Sequence, residues 1–192
     1  MESNGHKTPL DPNETDGLKL SHITTRQELN RWEQDNILES FSWIERQKPE
    51  NLLSEEFIRE LHGRMFCNVW EWAGSYRQTN KNIGTDWRKI PVELKILLDD
   101  IKFWISEDVY EPDETAIRFH YRLVSIHAFP NGNGRHARMM ADLIIEKLYH
   151  KTPFTWGSAD LTKKSTARER YMFALKRADQ DDFEDLFRFA RS

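Results

Sequence analysis

His127-Ala-Phe-Pro-Asn-Gly-Asn-Gly-Arg-His-Ala-Arg138 decides how this chain is read, because one helical pattern ends on its first residue and another begins within it. Downstream, Arg135 to Tyr149 carries apolar residues at Met139, Met140, Leu143, Ile144 and Leu148, the three-to-four spacing of a helix face. Upstream, Thr115 to His127 places Ile117, Phe119, Leu123, Val124 and Ile126 where they can face a core, so His127 closes a helix. Gly132 and Gly134 supply permissive backbone for a sharp turn between the two.

The charge of this stretch is as informative as its spacing. The first turn of a helix has unpaired N–H groups and a partial positive charge, which suit an anion and repel cations. Arg135 and Arg138 crowd that turn, on one side of the helix. A bound polyanion compensates for the crowding, and the arginine fork suits phosphate. The plainer alternative is a glycine turn with two solvated arginines, since a short glycine pattern is a weak signal by itself. His127 tips the balance: a histidine at the mouth of a phosphate site is a candidate general base, because its ordinary pKa lies near neutrality.

The stretch resembles the signature of the Fic (Fic/Doc) family, His-x-Phe-x-acidic-Gly-Asn-Gly-Arg-x-x-Arg, matched by His127, Phe129, Gly132, Asn133, Gly134, Arg135 and Arg138. Val69-Trp-Glu-Trp-Ala-Gly-Ser-Tyr-Arg77 is similar to the family's Trp-Ala-Gly-x-x-Arg segment, and Tyr171-Met-Phe-Ala-Leu-Lys-Arg-Ala178 to its Tyr-x-x-Ala-Leu helix. The resemblance spans roughly Leu52 to Phe189. Ser21-His-Ile-Thr-Thr-Arg-Gln-Glu-Leu-Asn30, with the asparagine form of the signature, is similar to the mobile mystery protein B subgroup.

The resemblance implies transfer of AMP from ATP to a Ser, Thr or Tyr hydroxyl of a target protein. His127 would deprotonate that hydroxyl, and Phe129 would be buried and fix the loop. The Gly132–Gly134 backbone and Asn133 would cradle the phosphates, Arg135 would stabilise charge as pyrophosphate leaves, and Arg138 would hold the distal phosphate. Tyr171 joins the nucleotide-binding set. Such chemistry rests mainly on positioning and electrostatic stabilisation. Mg²⁺ is implied with the ATP, but Asn131 stands where the family carries its acidic metal ligand. Magnesium prefers hard oxygen ligands, usually with a carboxylate. Asn131 therefore implies weak metal binding through the nucleotide, transfer of a different phospho-group, or an inactive or self-inhibited nucleotide-binding module.

Two further segments carry readings. The family's inhibitory helix has the form Ser/Thr-x-x-x-Glu-Gly/Asn, and Thr24 to Glu28 fits its first five positions, with Leu29 departing. A carboxylate there competes with phosphate for an arginine. Thr25-Arg-Gln-Glu28 is equally a capping box, and Glu33 is a second candidate. After Arg77, Asn, Gly and Asp cluster among β-branched residues, which predicts a short β-hairpin flap. By resemblance Ile83, Gly84 and Thr85 would pair with a target's backbone, and Ile83 to Trp87 would face it. Trp87 packing on the core is the plainer alternative.

The expected class is an all-α, Fic-type helical domain with that one flap. Helical patterns run over 25–47, 54–70, 91–106, 113–127, 135–149, 166–179 and 182–191. Residues 1–20, polar with Pro9 and Pro12, read as a loose arm, and 21–192 as a single domain with its core over about 52–189 and the 25–47 helix regulatory. Seven tryptophans and eleven phenylalanines supply core material. A net charge of −4 argues against a nucleic-acid partner. No apolar run is long enough to cross a membrane, and the start is not a signal peptide. The one cysteine, Cys67, excludes an internal disulfide, fits a reducing, cytoplasmic setting and reads as a core residue. His120, His127 and His136 raise a metal site, but their spacing matches no known ligand pattern. Family members include toxins paired with antitoxins, so an antitoxin-like partner and an oligomer belong to what the resemblance implies.

Overall fold

Start and stop signals place the helices where the periodicity expects them. Thr25 caps α1 (Arg26–Ile44), and Pro91 and Pro112 open α3 (Ile90–Ser106) and α4 (Pro112–Ile126), where a missing N–H costs nothing. The others are α2 (Glu55–Phe66), α5 (Asn133–Leu143), α6 (Thr166–Ala178) and α7 (Glu184–Ala190). The computed structural model describes residues 10, 15–158 and 166–192, and its named elements are all helical, so the class is all-α. These residues fall into two compact units, Met1–Gln47 with Arg59–Ser75, and Lys48–Ile58 with Tyr76–Ser192.

In the first unit, α1 buries polar as well as apolar residues: Leu29, Glu33, Asn36, Ile37, Ser40 and Ile44. Each buried polar group has a partner, as burial demands. Glu33 accepts a 2.7 Å bond from the Trp70 indole, and Asn36 accepts from the Asn68 N–H at 2.9 Å and donates to the Arg64 carbonyl at 3.1 Å. Of the expected loose arm, residues 1–9 and 11–14 lie outside the described residues. The described part, 15–20, is tied down: Leu18 bridges Trp70, and Lys19 donates to the Val69 carbonyl at 2.9 Å. Gly17 must be glycine there, since its φ is +75° and a Cβ would fall 2.6 Å from the Trp72 ring. Cys67 departs from expectation. It is exposed, because α2 stops at Phe66 and leaves it in the following turn.

In the second unit α4 is the central rod, packing against α3, α5 and α7. It buries Ala116, Ile117, Phe119, His120, Leu123 and Ile126, while α3 contributes Leu94, Leu97, Leu98 and Ile101 and α5 contributes Ala137, Met140 and Ala141. Full burial of the Leu, Ile, Phe and Met side chains among them is worth about 1.5–3 kcal/mol each. Beyond Leu143 the chain runs on as a turn of π-helix, Ile144–Leu148. The C-terminus is pinned by Arg191, which forks onto Asp113 at 2.7 Å through two nitrogens.

The segment expected as a hairpin closes differently: residues 78–86 are turns and bends with no strand. The Arg77 guanidinium reaches across them to the carbonyls of Thr79, at 2.8 Å, and Thr85. One side chain thus spans the loop, in place of a ladder of backbone bonds.

Candidate active site

Two left-handed residues frame the loop between α4 and α5. His127 ends α4 at φ 53°, ψ 56°, and Gly132 caps α5 at φ 78°, ψ −3°. A bulky residue in that region is uncommon and something must hold it there. Asn133 provides the hold: its Oδ1 accepts from the Phe129 N–H at 2.9 Å and its Nδ2 donates to the Phe129 carbonyl at 2.8 Å. Phe129 is fully buried, edge-on to the His136 ring. Both ends of the Asn133 amide are committed to the loop. What it presents to an anion is its backbone N–H, which helix geometry leaves without an intrahelical acceptor.

Gly134, in the first turn of α5, has an ordinary φ, and a Cβ there would lie 3.7 Å from an Arg138 guanidinium nitrogen and 4.0 Å from the Tyr171 hydroxyl, both ordinary contacts. The fold therefore has room for a side chain at 134. Glycine in a helix costs about 1 kcal/mol relative to alanine, so its presence points to something else that comes close to the backbone. A phosphate resting on the helix terminus is such a visitor.

His127 is half-buried, and burial first, then Arg77 and Lys81, lower its pKa to about 4, so the ring is neutral at neutral pH. Its Nδ1 is buried without a hydrogen-bond partner among the described residues. The Val124 carbonyl works against the shift without reaching hydrogen-bond geometry. With Nδ1 turned inward, Nε2 is the nitrogen left to meet a substrate.

Arg77 is the organiser that sequence reading passed over. It is 2% exposed and donates through Nε to the His127 carbonyl at 2.6 Å, besides the Thr79 and Thr85 carbonyls. Its own N–H reaches the Ala128 carbonyl at 3.0 Å. Gly84, at φ +95°, comes so close that a Cβ would sit 2.6 Å from that of His127. His127 and the flap loop are thus fastened to one guanidinium. Ile83 and Trp87 are exposed on the loop, and Thr85 donates to the Ile126 carbonyl at 3.3 Å.

Arg135 and Arg138 are both half-buried on α5. Arg138 lies with its guanidinium carbon 5.4 Å from the Tyr171 ring centroid. Tyr171 is buried, and its hydroxyl meets His120 Nε2 at 3.0 Å. Burial pushes the Tyr171 hydroxyl pKa up, and Arg138 opposes it. Arginine can only donate, so the tyrosine oxygen accepts from that side while its hydroxyl pairs with His120 Nε2. Burial, then Arg138, lowers the His120 pKa to about 3, so its ring is neutral at neutral pH. Tyr171 thus supports Arg138 from beneath.

Two of the three histidines considered for a metal are committed separately: His136 Nε2 pairs with the Ile58 carbonyl at 2.9 Å, and His120 Nε2 with the Tyr171 hydroxyl at 3.0 Å. Among the described residues no group of three His, Cys, Asp or Glu side chains could hold a metal ion. Asn131 is exposed, with its Oδ1 accepting from the Gly132 N–H at 2.7 Å. Asp142, one turn beyond Arg138, was not expected. Burial raises its pKa to about 7, opposed by its bonds to the Trp156 indole and the Phe154 N–H. Glu28 accepts from the Thr24 and Thr25 N–H groups at 3.2 Å, forming the capping box of α1. No helix among the described residues is long and apolar enough to cross a membrane.

Helices, loop and signature together define a Fic-type domain. Residues 52–145 match the model of the Fic/DOC family, and the chain carries a Fic/DOC family domain. It is 27% identical over 147 residues to a protein adenylyltransferase Fic of Nematostella vectensis, covering 74% of this chain and 32% of that protein. The fold is that of solved Fic domains. The N-terminal FIC domain of the Bep8 effector of Bartonella sp. 1-1C aligns with a TM-score of 0.71 at 16% identity, covering 92% of this chain and 90% of that one. An N-terminal Fic domain from Bartonella quintana, solved with bound ADP, aligns with a TM-score of 0.63 at 18% identity, covering 89% and 86%. The chain spans about a third or less of the length of the curated relatives it matches.

Proposed function

We propose that this protein transfers AMP from ATP to a Ser, Thr or Tyr hydroxyl of a target protein. One observation carries the reading: the loop between α4 and α5 joins a neutral histidine to a helix N-terminus bearing two arginines. The adenylyltransferase name of the Nematostella relative and the ADP bound by the Bartonella quintana domain support it. In the step, His127 Nε2 takes the hydroxyl proton as the oxygen attacks the α-phosphorus. The bond from that phosphorus to its bridging oxygen breaks and pyrophosphate leaves. The Gly132–Gly134 backbone and Arg135 meet the charge on the phosphates, and Arg138, steadied by Tyr171, meets the distal one. The exposed loop bearing Ile83, Gly84 and Thr85 receives the target. Glu28, capping α1, keeps the inhibitory role as part of this proposal. The subgroup likeness rests on Ser21–Asn30 and Asn131.

Mg²⁺ does not fit the residues present. The Asn131 oxygen is turned onto the Gly132 N–H, and the first turn of α5 has no acid. The same feature favours a second reading, nucleotide binding without turnover or transfer of another phospho-group.

Incubation with ATP labelled at the α-phosphate separates the two. Label on protein, reduced about 10²- to 10⁴-fold by His127→Ala, supports transfer. Binding of ATP with no label transferred, in wild type and in Glu28→Gln alike, sinks the transferase reading. More label in Glu28→Gln than in wild type supports the inhibitory role, and equal label refutes it.

A further inference from the structure

We infer that this site binds the nucleotide's phosphates without a protein-ligated divalent cation, Asn131 serving to set the loop where a carboxylate would hold a metal. The inference rests on the nucleotide reading above and concerns what accompanies the nucleotide.

The argument begins with atoms. The acceptor of the 2.7 Å bond from the Gly132 N–H must be the Asn131 oxygen, because an N–H cannot donate to an NH₂ group. That oxygen is the side chain's one acceptor, and it is neutral. The other atom, Nδ2, is a donor and cannot ligate a cation. An aspartate at 131 could accept the same N–H with one oxygen and offer the other, with its charge, to a metal. Asparagine keeps the loop function and leaves a metal only the remaining lone pair of a neutral oxygen, without charge or a second oxygen. The bond has a clear structural role, since Gly132 is the left-handed cap from which α5 starts.

Charge points the same way. A protein carboxylate is what usually tethers a divalent cation on the phosphates to the protein. Here no acid stands in the first turn of α5, and the charged groups that act on His127 are the cations Arg77 and Lys81. Arg135 and Arg138 add two more, on the helix itself. Asp142, further along α5, is spent on the Trp156 indole and the Phe154 N–H and is only partly ionised at neutral pH. Uncomplexed ATP carries more negative charge than its magnesium complex. The cations around the loop, Arg77, Lys81 and Arg138 among them, attract the uncomplexed form at least as well.

The test is ATP affinity by titration calorimetry in EDTA and in excess Mg²⁺, for wild type and Asn131→Asp. Wild type is expected to bind ATP in EDTA at least as tightly as with Mg²⁺. Asn131→Asp is expected to weaken about tenfold in EDTA, by repulsion, and to recover with Mg²⁺. Wild-type binding that is lost in EDTA and restored by Mg²⁺ overturns this inference and leaves the nucleotide reading standing. An Asn131→Asp protein as indifferent to Mg²⁺ as wild type overturns the role given to position 131. No ATP binding in either condition overturns the nucleotide reading itself, and this inference with it.

Discussion

At the scale of single residues, Gly134 separates folding from function most cleanly. Its φ is ordinary and the space a Cβ would take is open, with the nearest atoms at 3.7 and 4.0 Å. Gly134→Ala is therefore expected to leave the melting temperature unchanged or to raise stability by up to about 1 kcal/mol, from helix propensity alone. The added methyl would stand where a phosphate must approach the helix terminus, so ATP affinity is expected to drop about tenfold or more. Thermal melts and ATP titration of one preparation check both. A destabilised Gly134→Ala protein, or one that binds ATP as well as wild type, contradicts the close-approach argument. Gly84 is the contrasting case: at φ +95°, with a Cβ position 2.6 Å from that of His127, it is glycine for the fold's own sake. Side-chain roles were harder to read in advance than backbone ones. The helix boundary at His127 was legible because apolar spacing stops there. The commitment of Asn133 to Phe129, and of the Asn131 oxygen to Gly132, depends on which way an amide turns, and no residue pattern encodes that.

At the scale of elements, periodicity located the helices and missed what ties them together. All seven predicted patterns correspond to α-helices, with small shifts at their ends. The π-helical turn after Leu143 was not legible, since its apolar spacing reads as more of the same helix. Nor was the flap, because its organiser works through carbonyls, which every residue carries. Arg77 fastens the carbonyls of His127, Thr79 and Thr85, and burial lowers its pKa while Asp86 opposes. Lysine keeps the charge but is a point donor and cannot span three acceptors in the plane of a fork. Arg77→Lys is thus expected to leave buried carbonyls unsatisfied, at about 1–3 kcal/mol each, and to loosen the flap loop. If that loop receives the target, the KM for the target rises, while ATP affinity stays within about twofold, because the α5 terminus is held by Asn133. Parallel measurement of both constants checks this. An equal loss in ATP affinity would mean that Arg77 supports the phosphate loop instead.

At the scale of the whole molecule, buried titrating groups of the second unit set how stability follows pH. Burial holds the pKa of His120 at about 3 and that of His136 at about 4, against an ordinary value of 6.5. Unfolded, each takes up a proton as pH falls below 6.5; folded, neither does until pH reaches those low values. The stability they contribute is full above 6.5 and is lost on acidification. Asp142 has the opposite sign. Its pKa is raised from 3.8 to about 7, so the folded state holds a proton that the unfolded state releases, and that stability is lost as pH rises through about 7. Between pH 6.5 and about 4.5 three histidine protons, those of His120, His136 and His127 (its pKa likewise lowered to about 4), favour the unfolded state on acidification and one carboxyl proton favours the folded. The net is about two protons, or roughly 2.7 kcal/mol lost per pH unit of acidification. Asn at position 142 can still accept from Trp156 and Phe154 but cannot titrate. Asp142→Asn is therefore expected to steepen the loss to about one and a half times the wild-type slope, since the opposing proton is gone. Urea unfolding across that range, in both proteins, reads the slopes directly. A wild-type stability that rises on acidification would refute the burial of the neutral histidines. Equal slopes in the two proteins would refute the protonated state of Asp142, and with it the partial charge assigned to the far side of Arg138.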